Sequence, residues 1–260
     1  MWIPETVHKL YLPYPEREDR LVRVLVPAHE AGETFPVVYM TDGQNLFDEE
    51  SSGFGCWHTP ELLRTLRAET GRSVVIVGIH NEDPWRPGEL TPASIGPLTV
   101  PEEQRNGMTP SGEVFDDFLV HTVMPAVEAR FPVKPGREHR AFCGSSCGGM
   151  MAFFTALSHP ELYCAAGVFS PAFLLFRPED LARWIREHRS KEPPFLYLYT
   201  GAGEELEQQI CDSTLLAAEV LRRVWPPEAL QELVLPEQRH HETAWEPRFR
   251  DFLALFLAQK

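Results

Sequence analysis

Residues 144 to 148 read Gly-Ser-Ser-Cys-Gly, a G-x-S-x-G pattern centred on Ser146. A serine hydroxyl is a weak nucleophile until a base takes its proton. The glycines address where that hydroxyl sits. A sharp turn from a strand into a helix leaves no room for side chains on either side of the serine. The context fits: "HRAFC" reads as a strand and "GMMAFFTAL" as a helix. Such a turn presents Ser146 at the carboxyl end of a sheet and aims the Cys147 N–H at a developing oxyanion. Ser145 is the rival nucleophile but occupies the variable position. Cys147 falls where the N–H, not the thiol, is used.

The remaining chemistry must come from downstream and from one early loop. "EQRHHETAW" places His240 and His241 after the apolar run "LQELVLP", where a loop can swing an imidazole over the sheet edge. His159 and His188 read as surface residues. An acid is expected at the end of an earlier strand. "FLYLYTGAGEELEQQICD" offers Glu204 first, with Glu205 and Asp212 behind it. The acid would fix the imidazole tautomer and stabilise the imidazolium. In "VVYMTDGQNLF", Gly43 permits close approach, Gln44 is the candidate second oxyanion donor, and Asp42 braces the loop.

These residues need a sheet to position them. "VHKLYL", "RLVRVLVPA", "FPVVYM" and "SVVIVGIH" read as strands, the last two apolar enough to be covered on both faces. "TPELLRTLRAET" reads as a helix. "GEVFDDFLVHTVMPAVEARF" is the strongest helix, with an apolar stripe through Val114, Phe115, Phe118, Leu119, Val123 and Val127. Asp116 and Asp117 favour its dipole, and Pro125 is expected to kink it. From the Ser146 turn onward strands alternate with helices to the end. That pattern predicts a mostly parallel sheet wrapped on both sides, in a single α/β domain over 1–260. Residues 81–112 have no period and are rich in Pro and Gly. They are expected to form an irregular surface excursion, a candidate substrate rim or lid.

The bulk composition excludes several classes. The chain has 260 residues, 43% hydrophobic, with a formal net charge of −14. The acidic balance and the absence of basic clusters argue against nucleic acid or an anionic membrane as partner. The five cysteines match no zinc spacing, so no metal and no cofactor is expected. No signal peptide or apolar span is legible, which makes a soluble cytoplasmic protein the expectation. Nothing in the sequence sets the oligomeric state.

Taken together, the residues resemble the putative-esterase branch of the α/β-hydrolases, with its enterochelin-esterase-like and feruloyl-esterase-like proteins. "PVVYMTDGQNLFD" resembles the oxyanion-loop block, "AFCGSSCGGMMAFFTALSHPELYCAAGVFSPAF" the serine block, and "HHETAW" a His-x-Glu-x-x-Trp block. The resemblance runs from about residue 20 to the C-terminus. It implies an α/β-hydrolase fold and carboxylic-ester hydrolysis through an acyl-serine. It implies Ser146 as nucleophile, His240 rather than His241 as base, and Gln44 and Cys147 as oxyanion donors. The acid, Glu204, is its weakest match, and some members manage with a Ser-His pair. Phe54, Trp57, Phe173 and Trp245 lie near the matched blocks as candidates for a substrate pocket, with core packing the alternative for each. An acyltransferase using the same acyl-serine and a catalytically silent binding protein are the rival readings.

Overall fold

The computed structural model describes residues 1–258. All eight strands expected from the apolar runs are present and join one sheet. They are β1 (Thr6–Leu12), β2 (Arg20–Val26), β3 (Val37–Met40), β4 (Val75–Ile79), β5 (Arg140–Ser145), β6 (Ala165–Phe169), β7 (Phe195–Gly201) and β8 (Leu230–Leu235). Their order across the sheet is β8-β7-β6-β5-β3-β4-β2-β1. β1–β2 and β2–β4 pair antiparallel; every other neighbour is parallel. A short ribbon, Trp2–Ile3 with His29–Glu30, lies apart from the sheet.

The central strands are apolar on both faces because both are covered. Val37 and Tyr39 join a core with Phe115, Phe118, Phe153, Leu181 and Leu221, whereas Val38 and Met40 join a second core with Leu63, Phe249 and Phe252. α1 (Thr59–Thr70) therefore lies on one face together with the C-terminal helix α7 (Glu242–Ala258). The other face carries α2 (Gly112–Phe118), α3 (Met124–Glu128), α4 (Cys147–Ser158), α5 (Pro178–Glu187) and α6 (Glu205–Val224). α2 runs into α3 through a wider turn at Leu119–Val123, just ahead of Pro125, which accommodates the missing N–H. Val114, expected on the buried stripe, is exposed. α7 begins at Glu242, five residues before Pro247, so the helix contains this proline.

Residues 81–112 form an irregular segment anchored by Leu90 and Ile95 in the core and by Leu98, which bridges to Phe176. One further expectation needs correction: His159 is not a free surface residue. Its Nε2 lies 2.7 Å from Asp116 Oδ2, and Thr155 Oγ1 donates to Asp116 Oδ1 at 2.6 Å. Asp116 thus pins α2 to the end of α4 instead of serving the helix dipole.

The Asp116 hydrogen bond, against the opposing effect of burial, holds His159 above the ordinary imidazole pKa. A group whose pKa rises on folding stabilises the fold fully below its unfolded pKa and loses that contribution as pH passes its folded value. We predict that wild type exceeds His159→Gln in urea-denaturation stability most near pH 6, just below the ordinary histidine pKa of about 6.5. The margin should shrink toward alkaline pH, and a margin growing from neutral to alkaline pH would contradict the assignment.

Candidate active site

The carboxyl ends of β3, β5, β6, β7 and β8 converge on one edge of the sheet, where open α/β sheets place ligands. The turn after β5 puts Ser146 at φ 59°, ψ −125°, a conformation that L residues rarely adopt. The surroundings hold it there. Ser146 N–H donates to Phe169 O at 3.0 Å, and its carbonyl accepts from Ala172 at 3.1 Å and Met150 at 3.0 Å. The flanking glycines are required by space. A Cβ on Gly144 would sit 2.4 Å from Gly148 O, and one on Gly148 would sit 2.1 Å from Thr41 Oγ1. Cys147 opens α4, so its N–H lies in the first turn, where helices leave donors unsatisfied. Burial, only partly opposed by the Arg86 charge, keeps the Cys147 thiol above the ordinary cysteine pKa. That disfavours a thiolate beside the serine.

Gln44 sits in the short helical turn Gly43–Asn45 after β3. This loop presses on β4, where a Cβ at Gly43 would meet the Gly78 carbonyl carbon and oxygen at 2.5 Å. Asp42 braces the loop as expected. Its carboxylate accepts from Arg86 Nε at 2.6 Å, Arg86 Nη2 at 2.7 Å and Asn81 Nδ2 at 2.6 Å. Burial would raise the Asp42 pKa, but the Arg86 charge and these hydrogen bonds hold it below the usual carboxylate value. Asn81 and Arg86 both come from the 81–112 segment, which buttresses this loop and lends the same two residues to the wall of the cavity around Ser146.

His240 follows β8 and enters the same cavity, about 200 Å³ in volume, as Ser146, Gln44, Asn45, Phe54 and Glu242. Larger hollows of about 370 and 410 Å³ lie elsewhere, lined by residues such as Arg72 and Lys134 or Arg137 and Phe195. Those two contain none of the chemistry, and a hollow of about 590 Å³ touches His240, Glu204 and Arg239 but not Ser146, so size does not select the site. Ser146 Oγ and His240 Nε2 share the cavity without a hydrogen bond in this conformation, and such contacts often tighten only around substrate.

The carboxylate that meets the His240 ring is Glu207, not the expected Glu204. Glu207, wholly buried at 0% exposure, places Oε2 2.6 Å from His240 Nδ1. Its other oxygen accepts from Gly201 N–H at 2.7 Å and from Ser170 Oγ at 2.5 Å. Ser170 Oγ in turn accepts from Trp245 Nε1 at 2.9 Å. The Trp245 ring meets the His240 ring edge-on with centroids 4.9 Å apart. Glu204 instead precedes α6 and accepts the His240 backbone N–H at 3.1 Å, with Arg239 on its second oxygen. The backbone hydrogen bond foremost, then Arg239, holds Glu204 below the usual glutamate pKa. Glu205 is exposed, and Asp212 bonds Gln208 on the helix surface. A signal for Glu207 was present in the sequence. The buried stripe of α6 runs through Glu207, Ile210, Cys211, Thr214, Ala217, Ala218 and Leu221 at helical spacing. A lone acid on such a stripe has to have a partner.

The four aromatic candidates divide evenly. Phe54, 74% exposed, and Trp245 line the cavity. Trp57 and Phe173 do not. Trp57 is buried against Phe169, Trp245 and Phe249, and Phe173 packs on Phe153. No His, Cys, Asp and Glu cluster suited to a metal ion occurs among the described residues. No helix among them is long and apolar enough to cross a membrane.

The strand order and the serine turn define an α/β-hydrolase. Residues 16–213 match the profile of the "Putative esterase" family, and the chain belongs to that family. It is 27% identical over 170 residues to the siderophore triacetylfusarinine C esterase of Aspergillus fumigatus, covering 63% of this chain and 55% of that one. The chain spans about half the length of the curated relatives it matches. Among solved structures, siderophore hydrolase EstA of Aspergillus nidulans superposes with a TM-score of 0.78 at 20% identity, over 98% of this chain and 95% of that one. An IroE-like serine hydrolase of Shewanella oneidensis gives 0.74 at 22% identity, over 96% and 80% respectively. At these identities the structural likeness speaks for the fold.

Glu207 and Glu204 make separable contacts, which gives a direct comparison. Glu207→Gln should lower kcat for an activated ester by about 10³- to 10⁴-fold, as for a lost triad acid. Glu204→Gln keeps an oxygen for the His240 N–H and should cost far less. Steady-state kinetics in which the two variants lose equally would reject Glu207 as the imidazole's partner.

Proposed function

We propose that this protein is a serine esterase that cleaves a carboxylic ester through an acyl-serine intermediate. The observation that carries the reading is the joint placement of Ser146 and the Glu207-held His240 in one cavity. With Nδ1 bonded to Glu207, Nε2 is the nitrogen that takes the Ser146 proton as Oγ attacks the ester carbonyl carbon. The carbonyl electron pair moves onto oxygen, where the N–H groups of Gln44 and Cys147 stabilise it. Collapse breaks the bond to the leaving alkoxide, which takes the proton from His240. Water then gives its proton to His240 and attacks the acyl carbon, and Ser146 leaves reprotonated with the acid released.

The cavity is small and walled by Phe54 and Trp245, which suits a compact ester with an apolar or flat acyl portion. The named activity of the Aspergillus fumigatus relative makes a siderophore ester the substrate class we place first. Feruloyl sugars and short alkyl esters are the comparison set.

Ser146→Ala should reduce p-nitrophenyl butyrate hydrolysis by about 10⁴-fold or more in kcat, as expected for loss of a nucleophile. It should likewise abolish release of acid from a siderophore ester. Turnover that survives this change unaltered would remove Ser146, and with it the proposal.

A further inference from the structure

Two buried polar side chains beside the reacting groups have no part in the chemistry above. Asn45, 5% exposed, follows the oxyanion donor Gln44; Glu242, 6% exposed, lies two residues beyond His240. Asn45 Nδ2 donates to Glu242 Oε1 at 3.2 Å across 197 residues of sequence. The amide is not free to turn. Asn45 Oδ1 accepts from Gly53 N–H at 3.2 Å and Ser52 Oγ at 3.4 Å, which leaves Nδ2 aimed at Glu242. The Asn45 backbone is fixed as well, its N–H donating to Asp42 O at 2.9 Å and its carbonyl accepting from Trp57 N–H at 2.8 Å.

The carboxylate is what packing alone does not explain. Asp42, the other acid lining this cavity, faces Arg86, and Glu207, behind His240, has its oxygens taken up by His240, Gly201 and Ser170. Glu242 makes no ion pair among the described residues, and burial raises its pKa. A buried carboxylate held by an amide is costly unless the directional, charge-assisted bond is itself useful. Its ends lie one residue from Gln44 and two residues from His240.

We propose that the Asn45–Glu242 pair is a positioning strut that fixes the oxyanion loop against the catalytic histidine loop. Neither residue touches the reacting atoms. The strut sets the separation between the Gln44 N–H and His240 Nε2, and so governs kcat more than KM. The inference rests on the esterase reading above.

The test uses polarity reversal on the full-length protein, with p-nitrophenyl butyrate as substrate. Asn45→Asp sets two carboxylates face to face and should lower kcat by about 10- to 100-fold, the cost of misplacing reacting groups by about 1 Å. Glu242→Gln alone keeps an acceptor oxygen and should lose less. In Asn45→Asp/Glu242→Gln the amide and carboxylate have changed places. The amide now at position 242 can donate to the carboxylate now at position 45, whose other oxygen still accepts from Gly53 and Ser52. That variant should regain most of the kcat lost in Asn45→Asp, at little changed KM. Wild-type kcat in Asn45→Asp, or a double variant no better than Asn45→Asp, would overturn the strut. If Asn45→Asp fails to fold, a double-mutant cycle with Asn45→Ala and Glu242→Ala decides. Losses in kcat that overlap support the strut, and losses that multiply independently overturn it. Wild type lacking Ser146-dependent turnover would instead bring down the esterase reading, and the strut with it.

Discussion

A wholly buried carboxylate governs this site. Glu207 is removed from water and survives as an acceptor because the Gly201 N–H, the Ser170 hydroxyl and His240 surround it. A carboxylate so placed is tolerable only if its hydrogen bonds are complete. Each partner comes from a different strand end: Ser170 after β6, Gly201 closing β7, and His240 after β8. Satisfying one buried charge therefore aligns three connections of the parallel sheet. Trp245 extends the chain of contacts by donating to Ser170 while its ring supports the imidazole.

The Ser146 turn is held by a different means. Ser146 occupies a strained backbone region, at a cost on the order of 1–3 kcal/mol. Three backbone hydrogen bonds to it, and glycines packed against Thr41 and against each other, hold that geometry. On the far side of the cavity, Asp42 is clamped by Arg86 and Asn81, so the loop carrying Gln44 is braced by a segment that follows the next strand. Strain at the serine and rigidity in its surroundings belong to one design. A hydroxyl presented by a relaxed turn would be free to move out of reach of the base.

Much of this was legible in the residues. The central apolar runs became strands because continuous Val, Ile and Leu segments are buried between two helical layers, whereas the edge strands β1 and β8 are only partly covered. Ser146 and His240 were legible because strand-turn-helix context and a post-strand loop are local features. Closeness to the strand end points to Glu204, with Glu205 and Asp212 behind it, and that criterion passes over Glu207 because it ignores helical phase. The stripe through Ile210, Cys211 and Thr214 shows that phase decides. Trp57 and Phe173 illustrate a different limit, since an aromatic near a motif carries no sign of which way it faces. The 81–112 segment lacks period because it packs through isolated anchors such as Leu90 and Ile95 and through Arg86, not through a repeating face. The Asn45–Glu242 contact joins positions 197 residues apart, which no local pattern reveals.

The central claim is that Glu207 fixes the proton on His240 Nδ1 and leaves Nε2 as the base. Nitrogen-15 NMR of the histidine ring tests it most directly, with the His240 signals assigned by their loss in His240→Gln. The account predicts that neutral His240 carries its proton on Nδ1, with a strongly downfield proton resonance from the bond to Glu207. A neutral ring protonated on Nε2, with Nδ1 bare, would contradict it.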